Sequence, residues 1–242
     1  MVAPKQLQRE DARRWTSPSR EDAKRRPNPA AIVRILRRTT AQYEIPLGTR
    51  MGLEKRSLFE LLVSTVCSAQ ARDATTYPVI VKLFAIANTP EQLVRIPLVK
   101  FQQLLYPISY YNTKAKHLVA LSRMLLTEFG GMVPGTMEEL LRLPGVGRKT
   151  ANLVLAEGFG KPAGITVDTH VHRISNRLGV IRSRSRAETE RLLMAVLPKR
   201  LWAIWNPLLV MHGQNICAPI SPKCSQCPLR NQCQRRGVTT SR

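Results

Sequence analysis

Four of the five cysteines, Cys217, Cys224, Cys227 and Cys233, crowd toward the C-terminus at intervals C-x6-C-x2-C-x5-C. That spacing lets a compact loop gather four thiolates about one centre, which is the chemistry of a metal site. A structural zinc would use the same donors, although its usual arrangement has two close pairs and only Cys224 and Cys227 are close here. Spacing alone leaves the metal open. The second concentration of chemistry is residues 136–152, TMEELLRLPGVGRKTAN. Here a short helix ends at Leu143 and the Pro144-Gly145-Val146-Gly147 turn leads into a second helix that opens on Arg148 and Lys149. Pro144 stops the first helix, while Gly145 and Gly147 permit unusual dihedrals and close approach of the backbone to another molecule. Free N–H groups at the start of the second helix, with its dipole, form a phosphate site that reads no base. Lys149 is then either one more basic residue on that surface or a nucleophilic amine. Asp168, in VDTHVHRISNRLG, is either the N-cap of the next helix or an acid acting on substrate, and the two roles are compatible. His170 and His172 are two apart and face different ways on a helix, which suits packing or phosphate contact better than metal ligation. Cys67, the fifth cysteine, sits in an apolar segment as a small core residue.

Helices are the elements available to position these groups. Residues 57–71 (SLFELLVSTVCSAQA) open on Ser57 with Glu60 three positions later, the capping-box spacing, and predict a buried helix. A basic helix is expected at about 30–42, where Ile32, Val33, Ile35 and Leu36 can share a face. Further helices are expected at 73–86, 90–95, 98–105, 112–129, 136–142, 147–157, 169–178, 186–196 and 198–211, between Pro, Gly and Asn breaks. Strand alternation, tandem repeats and long heptad runs are absent, so the chain reads as all-α. Trp202 and Trp205 are at helical spacing and read as core. Residues 1–29 have too little apolar content to offset ordering entropy and read as a disordered basic tail.

Composition makes nucleic acid the first partner to test, although an anionic membrane could also attract a strongly basic chain. The 242 residues hold 38 Lys and Arg against 16 Asp and Glu, a formal charge of +22. The self-repulsion of such a charge is best offset by a phosphate backbone. No apolar run approaches the roughly 18 residues of a membrane span, and no hydrophobic stretch near the start suggests secretion. Glu10, Asp11, Glu21 and Asp22 argue against a transit peptide, which is poor in acids. The expectation is an intracellular, cytoplasmic and nucleoid-associated bacterial protein whose five cysteines form no disulfide framework.

LPGVGRKTAN followed by VDTH resembles the helix–hairpin–helix DNA glycosylase superfamily, specifically its endonuclease III branch, over about residues 30–235. The resemblance implies a two-domain helical fold: a barrel domain at 51–161 with its helix–hairpin–helix at about 136–157, and a cluster domain of 30–50 plus 162–236. Damaged double-stranded DNA would bind a monomer in the cleft between them. It implies that Lys149 attacks the sugar, and the chemistry agrees. An amine can displace a base at C1′, and the Schiff base it leaves permits β-elimination of the 3′ phosphate. The helix N-terminus and Arg148 would favour the neutral amine. Asp168 is implied to stabilise the cationic sugar and assist proton transfer. The cysteine interval resembles that of the family's [4Fe–4S] cluster, with Lys223, Arg230, Arg235 and Arg236 holding a basic surface toward phosphates. Base extrusion leaves a gap to be filled. Gln70, in Ser68-Ala69-Gln70, resembles the glutamine that enters the stack, with a polar helix-end residue as the alternative. Ser109-Tyr110 departs from the expected glycine and leucine, so Tyr110 is either a stacking group or a core aromatic. The segment around Lys161–Gly164 is one residue longer than expected. Together these imply a bifunctional glycosylase and abasic-site lyase acting on oxidised pyrimidines. The alternatives are a monofunctional mismatch glycosylase, which would lack the lysine, and a non-catalytic helix–hairpin–helix module.

Overall fold

A computed structural model describes residues 26–242, so residues 1–25 of the tail expected at 1–29 lie outside the described residues, while its last residues form a helix start, with Asn28 as N-cap and Pro29 as the first helical residue. The described chain contains helices and no strands, in two compact units: 44–166, and 26–43 joined with 167–242.

In the unit 44–166 the chain runs through α2 (Leu47–Leu53), α3 (Leu58–Ser68), α4 (Asp73–Ile86), α5 (Pro90–Val94), α6 (Leu98–Leu105), α7 (Tyr111–Glu128), α8 (Met137–Arg142) and α9 (Arg148–Leu153). α3 is the central helix, with every residue from Phe59 to Cys67 buried. Its capping box forms as the sequence predicts: Glu60 N donates to Ser57 Oγ at 3.1 Å and Ser57 N to Glu60 Oε2 at 2.9 Å. Around it pack Leu83 of α4, Leu93 of α5, Phe101 of α6, Leu118 of α7 and Leu140 of α8. Leu143, Val146 and Ala151 belong to the same core, so the hairpin is anchored from both sides of its turn.

Two features depart from expectation. α2 has no side-chain cap and carries two glycines, so propensity is silent about it. Packing creates it: Leu47 and Met51 are buried, Leu47 N donates to Asp73 Oδ2 at 2.9 Å, and Gly48 leaves space for the Leu153 side chain. α2 thereby packs into the core of the compact unit 44–166. The helix expected at 147–157 is α-helical only to Leu153 and continues as a π turn over Val154–Gly158. There Thr49 Oγ1 donates to Glu157 Oε1 at 3.2 Å.

The other unit holds α1 (Pro29–Thr39), α10 (Thr169–Leu178), α11 (Arg186–Val196) and α12 (Trp202–Asn215), followed by the cysteine loop. α12 packs against both α1 and α10. Trp205 is fully buried and its indole N–H donates to Ser175 Oγ at 3.2 Å; the Trp202 indole donates to Leu197 O. No helix among the described residues is long and apolar enough to cross a membrane.

Candidate active site

The hairpin places its residues by alternation of buried and exposed positions. Leu143 caps α8 in an extended conformation, Gly145 turns the chain at φ +81°, and Val146 N donates back to Leu143 O at 3.1 Å. The apolar Leu143 and Val146 point into the core, while Gly145, Gly147, Arg148 and Lys149 are exposed. Gly147 is the N-cap of α9 and has no side chain to bond its first N–H groups, which are the orphan donors of any helix start. Thr150, Ala151 and Asn152 are buried directly behind Lys149, so the lysine stands on a fixed base.

The two glycines do different jobs. A side chain on Gly145 would have to adopt the left-handed region. Its Cβ would lie 3.0 Å from both Cβ and Nδ1 of His117 on α7. Gly147 is extended at φ −102°, and a Cβ there would meet nothing within 4 Å. Gly145 therefore serves the fold. Gly147 serves access from outside.

Gln70 and Tyr110 are both exposed, and both are non-glycine residues in the left-handed region, at φ 55° and 58°. Tyr110 is the N-cap of α7, so the alternative of a core aromatic does not hold. Its neighbour Tyr111 packs edge-on to Tyr106, with ring centroids 5.7 Å apart.

In the second unit, Asp168 is half-buried at the start of α10 and accepts from Val171 N at 2.8 Å. This is the N-cap that its position suggests. Lys149 and Asp168 thus belong to different units. His172 Nδ1 lies 2.6 Å from Thr189 Oγ1, and the Thr189 hydroxyl bonds Ser183, so this imidazole is locked in a polar network. Burial, followed by the Arg186 charge, holds its pKa below the ordinary value. His170 packs against Gly213 and lies 3.3 Å from an Arg173 nitrogen.

Cys217, Cys224, Cys227 and Cys233 line one cavity together with Arg177 and His212. Arg177 donates to Cys217 Sγ at 3.4 Å and to the carbonyls of Ala218 and Pro219 at 2.6 Å, pinning the loop from inside. Arg235 N donates to Cys233 Sγ at 3.3 Å, and His212 Nε2 stands 3.7 Å from Cys227 Sγ. Burial pushes the Cys227 thiol up to about 11, opposed by a backbone N–H from Leu229 and reinforced by the other three thiols. Burial raises Cys233 as well, and thiols so raised resist ionisation until a cation compensates them, which is the donor chemistry of a metal centre. Among the described residues, no group of three or more His, Cys, Asp or Glu is arranged to hold a single metal ion. The four thiols share one cavity, and their donor chemistry is that of a metal centre. Lys223, Arg230 and Arg235 line the same cavity. Arg177 is the residue that motif spacing misses, because its bonds to the loop span 40 residues or more.

Comparison with known proteins places these features. Residues 63–199 match the family model for HhH-GPD superfamily base excision DNA repair proteins. Endonuclease III of Thermotoga maritima is 47% identical over 182 residues, covering 74% of this chain and 85% of that protein. A solved trapped endonuclease III–DNA covalent intermediate aligns with TM-score 0.71 and 41% identity, over 74% of this chain and 84% of the other. A non-covalent endonuclease III–DNA complex aligns with TM-score 0.76 and 37% identity, over 85% of this chain and 94% of the other.

Proposed function

Because this chain belongs to the HhH-GPD superfamily of base excision DNA repair proteins, within its endonuclease III family, we propose that its named residues divide the work of a bifunctional enzyme. It is a DNA glycosylase and abasic-site lyase. Its substrate class is duplex DNA carrying an oxidised pyrimidine or an abasic site, and it acts as a monomer in the bacterial nucleoid.

Lys149 is the nucleophile. Its neutral amine attacks C1′ and the base leaves with a proton. The sugar ring opens to a Schiff base, loss of a C2′ proton expels the 3′ phosphate, and water then frees the lysine. Asp168 offsets the positive charge that develops on the sugar and relays the proton, while its Oδ1 keeps the N-cap bond to Val171 N. The Gly147 end of the hairpin admits a phosphate against backbone N–H groups, with Arg148 beside it. Gln70 and Tyr110 fill the space left by the extruded nucleotide. The observation that carries this assignment is an exposed lysine set on buried Thr150, Ala151 and Asn152, two residues after an open glycine N-cap.

Cys217, Cys224, Cys227 and Cys233 would hold a [4Fe–4S] cluster, whose contribution when bound is to knit the loop into one rigid body. Lys223, Arg230, Arg235 and Arg236 on that loop then face phosphates, and the four thiolates take no part in base removal.

Borohydride trapping on abasic-site DNA tests the assignment. Wild-type protein is expected to give a covalent adduct that Lys149→Ala abolishes; a lysine-independent adduct, or none, would refute the lyase role of Lys149.

A further inference from the structure

Lys114 is a buried charged side chain that the chemistry above does not use. It lies in the first turn of α7, only 6% exposed. Its ammonium donates to Cys67 O and to Ala69 O, each at 2.7 Å. Among the described residues no carboxylate forms an ion pair with it, so its partners are backbone dipoles at the end of α3. Those carbonyls belong to the last turn and C-cap of a helix, where acceptors lack intrahelical partners and a cation is favoured. Burial lowers its pKa, and the neighbouring Cys67 thiol, itself pushed up to about 12 by burial, accompanies it.

The location gives the contact its meaning. Ala69 is followed at once by Gln70 in the left-handed region, and Lys114 N donates to the carbonyl of left-handed Tyr110 at 3.0 Å. One residue therefore touches both loop bases, by side chain on one side and by main chain on the other. Neither loop has a glycine at its left-handed position, so each conformation must be held by its surroundings.

We infer that Lys114 is a positioning residue, which fastens the end of α3 to the first turn of α7 so that Gln70 and Tyr110 are presented as a pair of fixed spacing. The inference rests on the proposal that those two side chains enter the DNA stack. Methionine at 114 would fill the space but leave two carbonyls unanswered, letting the loops part.

The test uses the cluster-loaded full chain as wild type, Lys114→Met, Lys114→Arg, the Gln70→Ala/Tyr110→Ala pair, and the pair combined with Lys114→Met. Base release is measured in single turnover on a duplex with one thymine glycol, and stack opening by 2-aminopurine fluorescence opposite a tetrahydrofuran site. Adduct formation on single-stranded abasic DNA, which needs no extrusion, is the internal control. At a temperature where circular dichroism matches wild type, Lys114→Met is expected to lose about tenfold in base release, the scale of coupling within one contact network. Its fluorescence rise shrinks and single-stranded trapping is unchanged. Adding Lys114→Met to the pair is expected to cost nothing more. Wild-type base release and fluorescence in folded Lys114→Met, or a full additive loss in the combined variant, would overturn the inference. If Lys114→Met does not fold, Lys114→Gln, too short to bridge both carbonyls, replaces it: base release between wild type and the pair supports the clamp and a wild-type value refutes it, while Lys114→Arg, which keeps the donors, is expected to stay closer to wild type than Lys114→Gln. If the pair itself behaves as wild type, the proposal about Gln70 and Tyr110 has failed and the positioning role falls with it.

Discussion

Alanine at Gly145 and at Gly147 should separate fold from function within a single turn. At Gly145 the φ of +81° puts any side chain in the left-handed region. That region costs an L-residue roughly 1–2 kcal/mol. The new Cβ would also press on Cβ and Nδ1 of His117 at 3.0 Å. Loss of chain freedom in the unfolded state returns about 0.4–1 kcal/mol. With the crowding included, the net is about 1–2 kcal/mol, or a fall in Tm of roughly 2–8 °C for a chain of this size. At Gly147 the backbone is extended and the added methyl meets nothing. The stability change there stays within about 0.5 kcal/mol. The same methyl stands where the proposed phosphate would approach, and affinity for an abasic-analogue duplex is expected to fall about tenfold, equivalent to about 1.4 kcal/mol. Thermal melting and fluorescence anisotropy read the two quantities separately. His117→Ala in the Gly145→Ala background should recover part of the lost Tm, namely the crowding and not the dihedral. The reasoning fails if both alanines lower Tm equally, or if Gly147→Ala binds DNA as wild type does.

Asp168→Asn keeps the cap to Val171 N and should melt as wild type, with base release down roughly a hundredfold or more. Asp168→Ala should lose activity and also about 1 kcal/mol of stability, seen as a lower Tm, because the cap goes with the carboxylate. Serine at Cys227 should leave purified protein without iron absorbance and speed hydrogen exchange over 217–236, read by mass spectrometry. Burial raises the Glu157 carboxyl pKa and Thr49 partly offsets it. A carboxyl raised on folding contributes stability at acid pH that is lost as pH climbs through its folded value. Glu157→Gln should therefore be more stable than wild type at neutral pH in urea unfolding, with the gain vanishing below glutamate's ordinary 4.5.

The all-helical class, the capping box of α3, the hairpin between α8 and α9 and the grouping of four cysteines were legible from the sequence. Each is written in contacts or spacings of a few residues: Ser57 with Glu60, Leu143 with Val146, Cys224 with Cys227. Asp168 as an N-cap was legible for the same reason, since its acceptor bond spans three residues. Tertiary structure decided what depends on distant partners. α2 exists because Asp73 and Leu153 come to it, against weak propensity. The difference between Gly145 and Gly147 depends on His117, an element away, and is invisible in the motif they share. The links from Lys114 to Cys67 and from Arg177 to Cys217 span 47 and 40 residues. Local hydrogen bonding imposes a periodicity that a sequence displays, whereas a long-range contact leaves no spacing to read and takes form only when the core brings its ends together.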